Sequence, residues 1–194
     1  QVDDNLEEAG HVNPYLEPAL LHHNDGHGKF TLATRMAGAY FETDHVGRGL
    51  AVGDLDNDGD IDLVINHKGG PPALLRNDTS TNHNWIRIRL EGTRSNREGI
   101  GARVSVETED QTIVRIRKGG ASYGSAHDPR LLFGLRNARA ARRVTIRWPS
   151  GRTEAFENLA GSRDWLLREG SGRGISPAEP GGDAADRGHR RSSE

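Results

Sequence analysis

The chain has 194 residues, 33% of them apolar and only 5% aromatic, with 25 glycines, no cysteine and a formal net charge of −2. No apolar run approaches the roughly 20 residues of a membrane-spanning helix, and without cysteine there is neither a disulfide framework nor a thiolate metal site. The near-neutral charge hides an asymmetry. Residues 1–84 carry 14 Asp and Glu against 5 Lys and Arg, whereas residues 85–170 carry 10 against 17. A boundary near Asn84 follows, with an acidic region over 1–84 and a basic one over 85–169. From Glu169 on, Gly, Ser, Pro and mixed charge replace any pattern, and residues 170–194 read as a disordered tail.

The acidic region opens on a segment, residues 1–17, that reads as a connection or the remnant of an earlier repeat. An internal repeat follows. Pro18-Ala-Leu-Leu21 precedes Asn24-Asp25, and Pro72-Ala-Leu-Leu75 precedes Asn77-Asp78, an offset of 54 residues with one residue of slip at the end. Between them lies a turn-rich hairpin tip, Asn24-Asp-Gly-His-Gly-Lys-Phe30. A period of about 50 residues made of strands and Gly/Asp turns is the mark of a β-propeller blade. One blade cannot bury its faces alone, so the remaining blades are expected upstream of Gln1.

Within that period stands Asp54-Leu-Asp-Asn-Asp-Gly-Asp-Ile-Asp62, five carboxylates on alternate positions around Gly59. Carboxylates this close repel one another, and oxygen ligands on a tight turn suit Ca²⁺, which accepts a flexible shell of six to eight oxygens. The spacing is that of an EF-hand up to Gly59, but the twelfth position is Ile65 where that motif needs a bidentate Glu. The flanks, Gly49-Leu-Ala-Val52 and Ile61-Asp-Leu-Val-Ile65, are short and β-prone and predict strand–loop–strand. The reading is a hairpin-borne calcium loop. Asp54, Asp56, Asp58 and Asp62 bind through side chains, Asp60 through its backbone carbonyl. A carboxylate loop of this kind suits millimolar calcium, hence an extracellular or periplasmic location.

In the basic region, Trp85–Leu90, Ala102–Val106, Thr112–Arg117 and Arg142–Trp148 alternate apolar with polar residues and predict half-buried strands. Arg152–Phe156 and Trp165–Arg168 add two shorter ones, and Arg136–Ala141 allows one helical turn. Turns at Gly119-Gly120 and Pro149–Gly151 separate them. Six short strands without a periodic helix point to a β-sandwich or small barrel. The period places Arg87, Arg89, Arg115, Arg117, Arg143 and Arg147 on outward faces. They read either as a surface for an anionic partner such as an acidic polysaccharide, or as solvated strand surface and docking against the acidic half. Nucleic acid is disfavoured by the overall charge.

Two further clusters stand out by residue type. His22, His23 and His27 fall in a turn with no fixed ligand face and read as surface residues. Ser122, Ser125, His127 and Asp128 are close in sequence, which counts for little in catalysis, and no Gly-x-Ser-x-Gly elbow is present.

The stretch from Gly47 to Asn77 resembles an FG-GAP/VCBS repeat, the calcium-carrying blade of integrin-type β-propellers. Asn84–Leu90, Gly92–Arg97, Ile100–Val104, Gly119–Tyr123, Leu132–Leu135 and Val144–Gly151, with its Trp-Pro-Ser-Gly, resemble the ASPIC/UnbV domain that follows such repeats in the cartilage acidic protein family and its bacterial relatives. The resemblance covers about residues 11–169. It implies an all-β protein, the end of a propeller followed by a β-domain, with calcium held by Asp54, Asp56, Asp58, Asp60 and Asp62. The expected function is a non-catalytic extracellular binding or adhesion module with structural Ca²⁺, its partner a protein or acidic glycan. The alternative is part of an exported enzyme acting on an anionic polysaccharide.

Overall fold

The computed structural model describes residues 10, 15–34, 37–79 and 82–174. Most of the connection expected over 1–17, and the expected tail from residue 175 on, lie outside the described residues. The fold is built of β-strands and turns, with a 3₁₀ turn at Ala39–Glu42 and no α-helix among the described residues. None of their helices is long and apolar enough to cross a membrane.

The acidic region supplies seven short strands: β1 (Glu17–Pro18), β2 (His22–Asn24), β3 (Phe30–Leu32), β4 (Asp44–His45), β5 (Gly47–Gly53), β6 (Asp62–His67) and β7 (Ala73–Leu75). β5, β6 and β7 form an antiparallel meander, while β1 pairs with β4 and β2 with β3 in separate two-stranded ladders. The two Pro-Ala-Leu-Leu copies are therefore not structurally equivalent. The second forms β7 against β6, whereas Pro18 of the first pairs with Asp44. The described residues give a three-stranded meander and not a closed propeller. Among the described residues of this region only Phe41 and Val46 are buried apolar residues, while Leu20, Phe30, Leu32 and Leu74 are 60–65% exposed. At roughly 1.5–3 kcal/mol per fully buried large side chain, two such residues cannot hold this region together. Its contacts with the second half matter correspondingly more.

The basic region is a two-sheet structure. β8 (Asn84–Glu91) is the centre of a three-stranded sheet. β9 (Arg103–Glu107), β10 (Thr112–Ile116), β11 (Leu131–Arg136), β12 (Ala140–Arg147), β13 (Thr153–Ala160), β14 (Arg163–Arg168) and β15 (Arg173–Gly174) complete the fold. The strand orders are β11-β8-β14 and β10-β9-β12-β13-β15. β14 runs parallel to β8, and every other pair in both sheets is antiparallel. Ile86, Ile88, Leu90, Phe133, Leu135 and Leu167 from the smaller sheet join Val104, Val106, Val144, Ile146 and Leu159 from the larger, and the buried Trp148 that follows β12, in one apolar cluster. Two sheets facing across one core form a sandwich.

Three local expectations are corrected. Leu131–Arg136 is a strand that alternation did not reveal, because Gly134 stands where a polar residue would mark the outer face. Residues 136–141 make no helical turn. Arg136 takes a left-handed φ of 53°, Ala138 N–H closes a turn on Leu135 C=O, and β12 begins at Ala140. The ordered fold also continues past Gly170, since Arg173 and Gly174 pair with Ala155 and Glu154.

The Gly92–Arg97 and Trp148–Gly151 turns meet at Glu169. Its carboxylate accepts the backbone N–H groups of Thr93, Arg94 and Ser95, each at 2.8 Å, and the hydroxyls of Ser95 and Ser150. Successive N–H groups converging on one anion form a nest. These family-like turns are thus a device for holding a buried carboxylate.

Candidate metal centre and its docking onto the second half

The loop between β5 and β6 is shaped by its own side chains. Gly59 has φ 99°, a conformation L-residues avoid, and a Cβ there would come within 2.0 Å of Trp85. Asn57 also adopts a left-handed φ, 67°, which Asn tolerates better than most residues. Asp54 Oδ2 accepts Gly59 N–H at 3.0 Å, and Asp58 Oδ1 accepts Asp60 N–H at 2.9 Å.

Side-chain oxygens of Asp54, Asp56 and Asp58 lie within 4.8 Å of one another, Asp54 buried and the other two exposed. Asp54 is 1% exposed. Its Oδ1 is buried with no hydrogen-bond partner. A carboxylate oxygen so placed lacks the partner that buried polar atoms ordinarily have. A cation held with Asp56 and Asp58 would provide it, so the donor set fits a hard divalent ion. Burial raises the pKa of Asp60, and repulsion from Asp58, Asp54, Asp62 and Asp56 raises it further.

The five aspartates are not equivalent. Asp62, also 1% exposed, ties the loop to its surroundings: Oδ2 accepts Leu55 N–H at 2.8 Å and Oδ1 accepts Asn77 N–H at 2.9 Å. Asp60 and Asp62 do not join the cluster of the other three side chains. Asp56 has Arg76 at 3.9 Å, but that guanidinium pairs more closely with Asp78, at 2.6 Å.

The loop's largest partner is an arginine that the sequence left open between a solvated surface and docking against the acidic half. Arg87, expected on an outward face, is 3% exposed. Its guanidinium donates to Asp54 Oδ2 at 2.6 Å, to Asn57 Oδ1 at 2.8 Å and, bidentately, to Asp164 at 2.7 and 2.8 Å. The hydrogen bonds from Arg87, ahead of its charge, hold Asp164 below the usual carboxylate range. Arg130 adds bonds to Asn57 Oδ1 and to the Asp54 carbonyl, both at 3.0 Å, and pairs with Asp128. The loop thus already contains a protein cation. Arg87 serves Asp54 and Asp164 together, which leaves the oxygens of Asp56 and Asp58 and the free Oδ1 of Asp54 to an external ion.

The other arginines do not form one continuous face: Arg89 lies on the smaller sheet, and in the larger one Arg115 is in register with the core residues Val104 and Ile146 whereas Arg143 and Arg147 share the opposite face. Arg143 pairs with Glu157 at 3.0 Å, and Arg115 lies over the Phe133 ring. His22, His23 and His27 are exposed and join no cluster of possible metal ligands among the described residues. In the 122–128 segment, Ser125 Oγ donates to Tyr123 C=O, His127 Nδ1 accepts Val52 N–H, and Asp128 holds Arg130. Together with Asp128 N–H donating to Val52 C=O at 2.9 Å, these contacts seal the edge of β5 against the second half.

Residues 92–174 match the family model described as ASPIC and UnbV. The chain is similar to cartilage acidic protein 1 of Homo sapiens, 31% identical over 145 residues that cover 73% of this chain and 22% of that protein. The similarity to the same protein of Mus musculus is 30% over 130 residues, 65% of this chain and 20% of the relative. For Xenopus tropicalis it is 30% over 115 residues, 57% and 18%. The chain therefore spans about a fifth of the length of these curated relatives. With its nest around Glu169 built from turns inside the matched region, the chain carries an ASPIC and UnbV domain and is a distant homologue of cartilage acidic protein 1 over most of its length.

Proposed function

We propose that this chain is a non-catalytic, calcium-stabilised binding module acting outside the cytoplasm, at the end of a larger β-propeller. The buried, unpartnered Oδ1 of Asp54 beside Asp56 and Asp58 carries the reading. Asp54, Asp56 and Asp58 would hold Ca²⁺ by side chain, with Asp60 contributing its carbonyl. The ion supplies charge neutralisation and a fixed loop shape, not reactivity. Because the same loop is clamped by Arg87 and capped by Trp85, ion binding stabilises the junction of the two halves as well as the hairpin. The propeller setting rests on the exposed apolar residues of the β1–β7 region and the greater length of the relatives. Calorimetric titration with Ca²⁺ tests the site. Saturable binding abolished by Asp56→Ala/Asp58→Ala is expected; absence of binding at millimolar Ca²⁺, or undiminished binding to the variant, overturns it.

A further inference from the structure

We propose that β10 is a docking edge for an acidic peptide segment, which adds to the larger sheet as an extended antiparallel or parallel strand. β10 is the terminal strand of that sheet. Arg117 N–H donates to Ala102 C=O at 2.9 Å, and Ile113 and Arg115 stand opposite Val106 and Val104. Bonded and non-bonded pairs alternate along an antiparallel ladder. Residues 113, 115 and 117 therefore bond inward to β9 and its extension. Thr112, Val114 and Ile116 turn their N–H and C=O groups away from it, and no strand takes them up among the described residues. The side chains of Val114 and Ile116 are 41% and 54% exposed. β5 provides the contrast: its Val52 N–H and C=O are both taken, by His127 and Asp128. An apolar strand edge left open is a template for another strand.

Charge selects the occupant. A cavity of about 400 Å³ runs along β10, with Val114–Lys118 on one wall and Val52, Gly53 and His127 among the residues opposite. Of its cations, Arg87 and Arg130 are engaged by Asp54, Asp164 and Asp128. Arg115, Arg117 and Lys118 have no carboxylate partner among the described residues. Arg115 is held over the Phe133 ring, and Arg117 Nε is buried without an acceptor. Three uncompensated cations within four residues of an open edge favour carboxylates on the incoming strand. A second copy of β10 would bring the same cations against these and repel. Main-chain pairing would give affinity, and the cations would give sign selectivity.

Fluorescence polarisation with the 194-residue chain and a labelled nonapeptide of alternating Glu and Val tests this. Expected is saturable binding, weakened at least tenfold by replacing Glu with Lys, by N-methylating alternate peptide amides, by Arg115→Glu/Lys118→Glu and by Val114→Pro. Val114→Pro removes an outward donor and spares the β9 ladder. In the unmodified protein, the Val114 and Ile116 amides gain hydrogen-exchange protection when the peptide is added. Absence of binding at millimolar peptide overturns the proposal. So does equal binding of the Lys peptide, or binding indifferent to N-methylation without amide protection, which would be simple ion exchange. Sedimentation showing a dimer of the chain dispersed by Val114→Pro would also overturn it, assigning the edge to self-pairing.

Discussion

Glu169 is 3% exposed and ringed by the N–H groups of Thr93, Arg94 and Ser95 and the hydroxyls of Ser95 and Ser150. Burial pushes its pKa up, but the Ser150 hydroxyl and the three N–H groups outweigh that and lower it to about 2 from an ordinary 4.5. A carboxyl whose folded pKa is depressed contributes stability above its unfolded pKa and loses it as pH falls through the folded one. Its contribution, roughly 3 kcal/mol from the size of the shift, is complete above about pH 5 and disappears toward pH 2. Glu169→Gln is expected to remove most of it at neutral pH, read as a lowered urea midpoint, and to flatten the mutant's stability between pH 5 and 2. An unchanged midpoint would contradict the role. The sequence gives no hint of this residue. It stands where pattern fades into Gly and Ser, and its backbone donors lie more than 70 positions upstream.

The loop and β8 form the element that joins the two halves. Most strands were legible from alternation, β8, β9, β10 and β12 within two residues of their bounds, because one face of each meets a core. Alternation could not tell which outward residue another element covers. Arg87 and Arg89 share the outer face of β8, yet Arg87 is 3% exposed and Arg89 60%. The difference is the Asp54 loop lying over one and not the other. Arg87→Met is expected to destabilise the calcium-free protein by about 3–5 kcal/mol, the cost of stranding a buried carboxylate. Because Ca²⁺ is then the remaining counter-charge for Asp54, saturating Ca²⁺ should raise the melting temperature more in this variant than in the parent. A smaller rise would mean that Arg87 shapes the site for the ion and does not merely share its charge.

At the scale of the whole molecule, one half has a core and the other borrows. The sandwich buries a continuous apolar cluster, whereas the β1–β7 region, among its described residues, buries only the apolar side chains of Phe41 and Val46 and is attached through Trp85, Arg87, Asp128 and Arg130. The charge asymmetry visible in the sequence anticipated acidic-to-basic docking; which charges meet depends on the three-dimensional approach of residues 30–76 positions apart. The acidic loop was plain in the sequence. The separate roles of Asp62, as a loop tether, and of Asp54, as a shared ligand and ion-pair partner, became readable only with the fold. The most direct test of the account is thermal unfolding as a function of free Ca²⁺, parent against Asp56→Ala/Asp58→Ala. A single transition for both halves is expected. Above the dissociation constant, the parent's stability rises by about 1.4 kcal/mol per decade of Ca²⁺, with no rise in the variant. A melting temperature independent of Ca²⁺, or the same rise in both proteins, would contradict it.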